Sequence, residues 1–243
     1  QVSDWGAFKM MMSEEQPNVL EHCLVEYAYR GFHAHFSKAE LHHSQFRFNQ
    51  RGAQFQESTV TIDDCTFDSN FNGMQFRDST VKIFDSEVKS NNWGIRAVFA
   101  DLYLVNSAIV HNRINGVSLR DSEFVMRNTQ LADNRRGLYL QRSRGEAEEN
   151  QIVSNLEHGI YLEDSLVELK RNRIVDNGRS GLKVQNAGGE VSENSFMDNH
   201  QQTLVNDGED DFSLGNNRFF SSPKIMDQIL RPQVGRIYVT EQK

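Results

Sequence analysis

A chain of 243 residues with 37% hydrophobic and 25% charged residues is long enough to bury a full core. Its formal charge of −8 excludes nucleic acid as the expected partner, because binding a phosphate backbone demands a basic face. No run of about 18 apolar residues occurs, so no membrane span is expected. No charged and apolar leader opens the chain at Gln1, so any export signal is expected to have been removed or never present. Three prolines and no Gly/Ser tract leave no linker, and 1–243 read as a single domain.

The first stretch, 1–30, reads as an irregular first coil. Trp5–Met10 has strand character, Met11–Asn18 is expected to loop out, and Leu20 and Val25 rejoin the pattern that follows. Regular coils are expected over 31–220. Gly31, Gly52, Gly73, Gly94, Gly116, Gly137, Gly159 and Gly181 stand 21 or 22 residues apart. A period in the twenties with internal alternation of apolar and polar residues signals a solenoid of strands. In the coil opening at Gly116, Val117 and Leu119 form one inward row, Phe124 and Met126 a second, and Leu131 a third. Three inward rows predict three short strands per coil wrapped around one core.

Eighteen residues after each glycine stands an asparagine, eight in succession: Asn49, Asn70, Asn91, Asn112, Asn134, Asn155, Asn177 and Asn199. Amides stacked at a strand spacing of about 4.8 Å can bond to the coils above and below, and Asn also tolerates the left-handed backbone of a tight turn. The 22-residue coils take their extra residue just after this asparagine, so insertions enter at one corner. Cys23 and Cys65 fall in another column, together with Ser44, Ser86 and Ser107. They sit two coils apart, about 9–10 Å at one strand spacing per coil, beyond the roughly 7 Å limit of a disulfide; two free thiols are expected. At the far end, 221–243, Ser222-Pro223 opens an expected capping helix over Pro223–Leu230, and Gly235–Thr240 reads as a last strand.

Asp4–Phe8, Asn18–Ala28 and the coils of the type Asn91-Asn92-Trp93-Gly94-Ile95 resemble the right-handed parallel β-helix superfamily, most of all the NosD-like periplasmic proteins and the related carbohydrate-binding and sugar-hydrolase repeats. The tail Ile225–Ile229 with Gly235–Tyr238 is similar to the closing helix and strand of such domains. The resemblance implies an all-β, single-stranded right-handed parallel β-helix of about nine to ten coils, a periplasmic or extracellular location, and work on a polysaccharide or at the cell surface. It does not choose among lyases, hydrolases, epimerases, adhesins and structural modules, all of which share the scaffold.

Function on such a solenoid is carried by outward residues on stacked strands. The outward positions of the first strand supply candidate glycan-binding residues: Gln75, Arg77, Arg96, Arg120, Tyr139, Tyr161, Glu163 and Lys183. Amides and guanidiniums suit hydroxyls and carboxylates, and neighbouring tyrosines offer a flat apolar face to a sugar ring. An enzyme reading, polysaccharide lyase or glycoside hydrolase, has thin support. Glu157-His158-Gly159 is faintly similar to a polygalacturonase element but lacks its aspartates, and no carboxylate pair has glycosidase geometry. The acidic column of the first turn (Asp78, Asp121, Asp164) reads as turn chemistry. Five of the eight histidines lie between Glu21 and His43; of these, His33 and His35 are two apart on one strand and could share zinc or copper if a third ligand arrived. The expectation is therefore a binding or structural module recognising a glycan or a cell-surface protein, needing no cofactor. A metal-related accessory role of the NosD-like kind and packing within a larger assembly stand beside it.

Overall fold

A computed structural model describes residues 3–220, 230–232 and 235–239. It is a parallel β-solenoid of about 11 turns, with no helix among the described residues. One turn serves as template: Asn115–Arg120 lies on a first face, Glu123–Arg127 on a second and Gln130–Ala132 on a third. Each strand pairs in parallel with its counterparts one turn away, Val117 with Ile95 and Leu138, Phe124 with Leu102 and Gly145, Leu131 with Ile109 and Ile152. The three inward rows meet in one continuous core in which like stacks on like. Phe46 lies 4.8 Å from Phe67, and Phe55 5.3 Å from Phe76, ring centre to ring centre.

Three corners turn each coil, and each places one non-glycine residue at positive φ. In one turn these are Glu57 (47°), Asp64 (47°) and Ser69 (54°). The residue that follows stacks: Ser58, Cys65 and Asn70. The left-handed residue is thus the one before the asparagine, often Ser or Asp, of which Asp bears that conformation well. Asp78, Asp121 and Asp164 fill the same role at the first corner, which accounts for the acidic column. The asparagine ladder is formed throughout: Asn49 donates from Nδ2 to Asn70 Oδ1 (3.0 Å) and to Val25 O (3.0 Å), and the pattern repeats to Asn177 and Asn199. A second run, Asn150, Asn172, Asn194 and Asn217, continues the cysteine–serine column in the later turns. A third ladder of serines, not anticipated, runs along the first corner, with Ser37 N–H donating to Ser58 Oγ and Ser58 N–H to Ser79 Oγ, both at 3.2 Å.

The ladder explains the glycines. A Cβ at Gly52 would stand 2.5 Å from Gly73 O and 3.0 Å from Asn70 Nδ2, so the inward-turned amide demands a bare backbone beside it. Both cysteines are free. Cys23 N–H donates to Ser44 Oγ (3.0 Å), and Cys65 is buried, which pushes its thiol up to about 11.

At the front, Trp5–Glu21 pairs with Ala28–His42. The expected loop is narrower than Met11–Asn18, because Met11, Ser13 and Asn18 all keep partners; within that stretch the register slips between Ser13 and Asn18, and a further shift lies earlier, between Ala7 and Phe8. At the back, the expected helix Pro223–Leu230 lies, save for Leu230, outside the described residues. Leu230–Pro232 is a strand paired with Leu204–Asn206, and the last strand, Ile237–Val239, pairs with Phe212–Leu214.

Candidate functional site

The first face is the widest, and its outward side chains come from three positions per turn: the residue before the glycine and those two and four after it. Strand alternation sends the positions two and four after the glycine to one side; the residue before the glycine falls outside that alternation and reaches the same side from the corner, as Arg136 does over the Tyr139 ring. The candidates divide along this face. Arg77 turns to Asp78 (3.1 Å) and Arg120 to Asp121 (3.7 Å), each beside its own corner. Arg96 lies over Trp93 with its guanidinium carbon 5.3 Å from the ring centre. Gln75 pairs through its backbone with Gln54 and Arg96. These four join no common constellation.

Tyr139, Tyr161, Glu163 and Lys183 do come together. The two rings are 5.2 Å apart at 46°. Tyr139 donates its hydroxyl to Glu163 Oε2 (2.5 Å) and Tyr161 to Gln185 Oε1 (2.9 Å). Lys183 Nζ stands 4.8 Å from the Tyr161 ring centre and 2.6 Å from the Asp207 carboxylate. Burial first, then the bond to Glu163, raise the Tyr139 phenol, and burial raises that of Tyr161. Both tyrosines therefore stay protonated at neutral pH.

Reading only the positions two and four after each glycine missed the third outward column, where Arg136, His158 and Ser180 stand. The signal lay in the residue before each glycine. Arg136 lies over both tyrosine rings, 5.5 and 5.7 Å from their centres, and its Nε donates to Glu157 (3.1 Å). Glu157 is buried yet meets three guanidiniums, those of Arg135 (3.1 Å), Arg136 (3.1 Å) and Arg179 (3.5 Å). Burial pushes its carboxyl up, but the arginines outweigh it and hold it below the usual range. His158 is buried, with Nδ1 2.6 Å from Ser180 Oγ. Burial, followed by the Lys183 and Arg136 cations, lowers it to about 4, so the imidazole is neutral at neutral pH. Asn115, in the same column one turn before Arg136, is buried with Oδ1 unpartnered.

Chemically this patch is a pair of aromatic plates fringed by an amide, a carboxylate and two cations. Its charges are matched internally: Arg136 to Glu157, Lys183 to Asp207. His33 and His35 stand at the other end of the face, rings 6.3 Å apart. His33 is buried, 5% exposed, and its Nδ1 lies 3.2 Å from the Arg30 guanidinium, a cation that opposes the zinc or copper ion considered there. Among the described residues no group of three or more His, Cys, Asp or Glu side chains is placed to hold a metal.

The sequence also concealed a groove of about 610 Å³ on the second face, between Tyr103, Val125, Glu146, Leu166 and Glu168. Gly145 (φ 153°) and Gly189 (φ 116°) dent the strands beneath it, where a Cβ would stand 2.0 Å from Phe124 O and 1.9 Å from Val167 O.

Residues 77–219 match the family model described as the right handed beta helix region. The chain belongs to the right-handed β-helix family. Among solved structures it is similar to the periplasmic alginate epimerase AlgG, with TM-score 0.59 and 16% identity over 87% of this chain and 61% of that one. It is also similar to the Dettilon tailspike protein gp208, with TM-score 0.55 and 11% identity over 96% of this chain and 61% of that one. The β-helix of pectate lyase Pel9A matches at TM-score 0.52 and 10% identity, over 100% of this chain and 80% of the lyase. At such identities the likeness is one of fold. The chain spans 61% of the length of the first two. No curated protein matches the sequence.

Proposed function

We propose that this β-helix is an extracytoplasmic glycan-binding module, holding a polysaccharide along its first face at Tyr139 and Tyr161. The observation that carries the reading is the tyrosine pair itself. Two half-buried rings on adjacent turns, 5.2 Å apart, have their hydroxyls tied down by Glu163 and Gln185. Such plates are rigid before a ligand arrives, and a sugar ring stacked on them loses its own hydration without costing the protein side-chain freedom. The names of the similar structures, an alginate epimerase and a pectate lyase, support a polysaccharide as the ligand class. Titration of the protein with a panel of soluble polysaccharides by affinity electrophoresis tests it. At least one should retard the protein, and Tyr161→Ala should weaken that binding about tenfold or more, as loss of an aromatic platform does. No retardation across the panel, or retardation unchanged in both Tyr139→Ala and Tyr161→Ala, refutes the reading.

A second reading, proton transfer on a bound charged glycan, rests on His158 alone. It is neutral, bonded to Ser180 and flanked by Lys183 and Arg136; it can accept a proton, and a bound carboxylate that offsets the two cations would raise its weakened basicity towards what a general base needs. Turnover of uronate polymers, followed by unsaturated product and by anomeric NMR signals, checks it. Turnover equal in wild type and His158→Gln, or none in either, removes it.

A further inference from the structure

The first face is electrostatically uneven. Arg77, Arg120, Arg136 and Lys183 each stand against a carboxylate, and Arg96 rests on Trp93. Among the described residues Arg30 and Arg51 have no carboxylate and share a single ring between them. They occupy the same register on adjacent turns, each just before its glycine. Among the described residues neither has a carboxylate within ion-pair reach. One ring, that of Tyr29, lies against both guanidiniums, at 5.3 and 5.4 Å. Like charges opposite each other on neighbouring strands repel, so the pair costs the fold stability with no compensating acid.

Its hydrogen-bonding capacity is also unmet. Arg30 Nε and Arg51 Nε are buried without an acceptor, and so is His33 Nε2. A guanidinium can only donate. The 3.2 Å contact between Arg30 and His33 Nδ1 therefore makes Nδ1 the acceptor and leaves the proton on Nε2, a third donor that is drawn towards the Gln56 side chain but has no acceptor at hydrogen-bond distance. Arg51 satisfies one amino group on Gln54 Oε1, at 2.6 Å. Lys9 occupies the position one turn before His33 and adds a further positive charge. Burial and then the Arg30 charge keep His33 neutral, against the pull of the Gln56 side chain. Buried donors without acceptors are rare in folded proteins and cost stability unless something arrives to satisfy them.

We infer that Arg30 and Arg51, with His33 beside them, form a binding site for an anionic oxygen group: a carboxylate, sulfate or phosphate carried by a ligand on the first face. Both arginine residues are partly exposed while their Nε atoms lie beneath the surface, so an arriving anion meets the outer part of each fork first. The planar fork of Arg suits these groups, and two forks held side by side by one tyrosine are arranged before the anion binds. The site stands apart from the tyrosine patch. Arg51 and Arg136 are four turns apart, about 19 Å at one strand spacing per turn.

Calorimetry of the whole chain at low salt tests the inference with five probes: inorganic sulfate, inorganic phosphate, a polyuronate, a sulfated polysaccharide and an uncharged glucan. At least one anionic probe should bind, lose affinity as salt is added, and bind about tenfold or more weakly to the Arg30→Gln/Arg51→Gln double variant. Which probe binds identifies the source of the anion. The double variant should melt no lower than wild type, because it relieves a like-charge pair. Should it fail to fold, Arg51→Lys serves, keeping the charge and losing the fork, with a several-fold loss expected. Absence of binding by every anion, or equal affinity in wild type and variants, overturns the inference. Tyr161→Ala should leave inorganic sulfate and phosphate binding unchanged, so failure of this site and failure of the tyrosine reading are told apart.

Discussion

Replacing Asn134 by alanine removes one rung from the middle of the ladder, and the bonds lost can be counted. Asn134 Nδ2 donates to Ile109 O (2.9 Å) and Asn155 Oδ1 (3.3 Å), while its Oδ1 accepts from Asn112 N–H (2.9 Å) and Asn112 Nδ2 (3.0 Å). Asn112 Nδ2 keeps Val88 O and Val110 O, and Asn155 Oδ1 keeps Asn134 N–H. The Asn112 N–H is left buried without a partner. Two or three net bonds at about 1 kcal/mol each, plus about 1–3 kcal/mol for the orphaned donor, give a loss of about 3–6 kcal/mol. Urea denaturation followed by circular dichroism measures it, with the exposed Gln130→Ala as a control expected within about 0.5 kcal/mol of wild type. In a solenoid each turn touches only its neighbours, so the transition should also broaden or split as the array opens at the missing rung. A single transition displaced by less than about 1 kcal/mol would refute the view that the ladder is a stabilising spine and would leave Asn134 a corner residue only.

Two further predictions concern titrating groups. His158, lowered to about 4 when folded against about 6.5 unfolded, binds its proton more readily in the unfolded chain. Its contribution is therefore complete above pH 6.5 and is lost as pH falls from there towards 4, by about 3 kcal/mol; the difference in stability between wild type and His158→Gln should vary with pH only across that window, and a constant difference refutes the burial argument. Cys65, its thiol pushed up to about 11 by burial, should react with a disulfide reagent at pH 8 far more slowly than half-exposed Cys23, both becoming fast in urea; equal rates in the folded protein would contradict the packing.

Particular residues show how far the chain could be read in advance. Val117, Leu119, Phe124, Met126 and Leu131 are all buried, as their spacing demanded. The asparagine column is bonded as a ladder, and the cysteines stand free in a serine column. Tyr139, Tyr161, Glu163 and Lys183 were legible as outward neighbours because parallel register without slippage puts equal positions on adjacent turns side by side. Arg136, His158 and Ser180 were not, because the residue before the glycine belongs to the corner in one-dimensional terms and joins the strand only once the strand is built. The burial of His33 was hidden because it depends on how long side chains around it lie, among them Arg30 three residues before it on the same strand.

The sequence by itself determined the solenoid, its 21- and 22-residue turns and the identity of its core, because each of these depends on periodicity along one chain. Tertiary structure decided which charges find partners. Arg77 and Arg120 turn to their own corners and Arg136 to Glu157, whereas Arg30 and Arg51 are left facing each other across one tyrosine. Side-chain reach between turns is a matter of about 5 Å in space and more than 20 positions in sequence, and the repeat that makes the turns alike is silent on the side chains that make them differ.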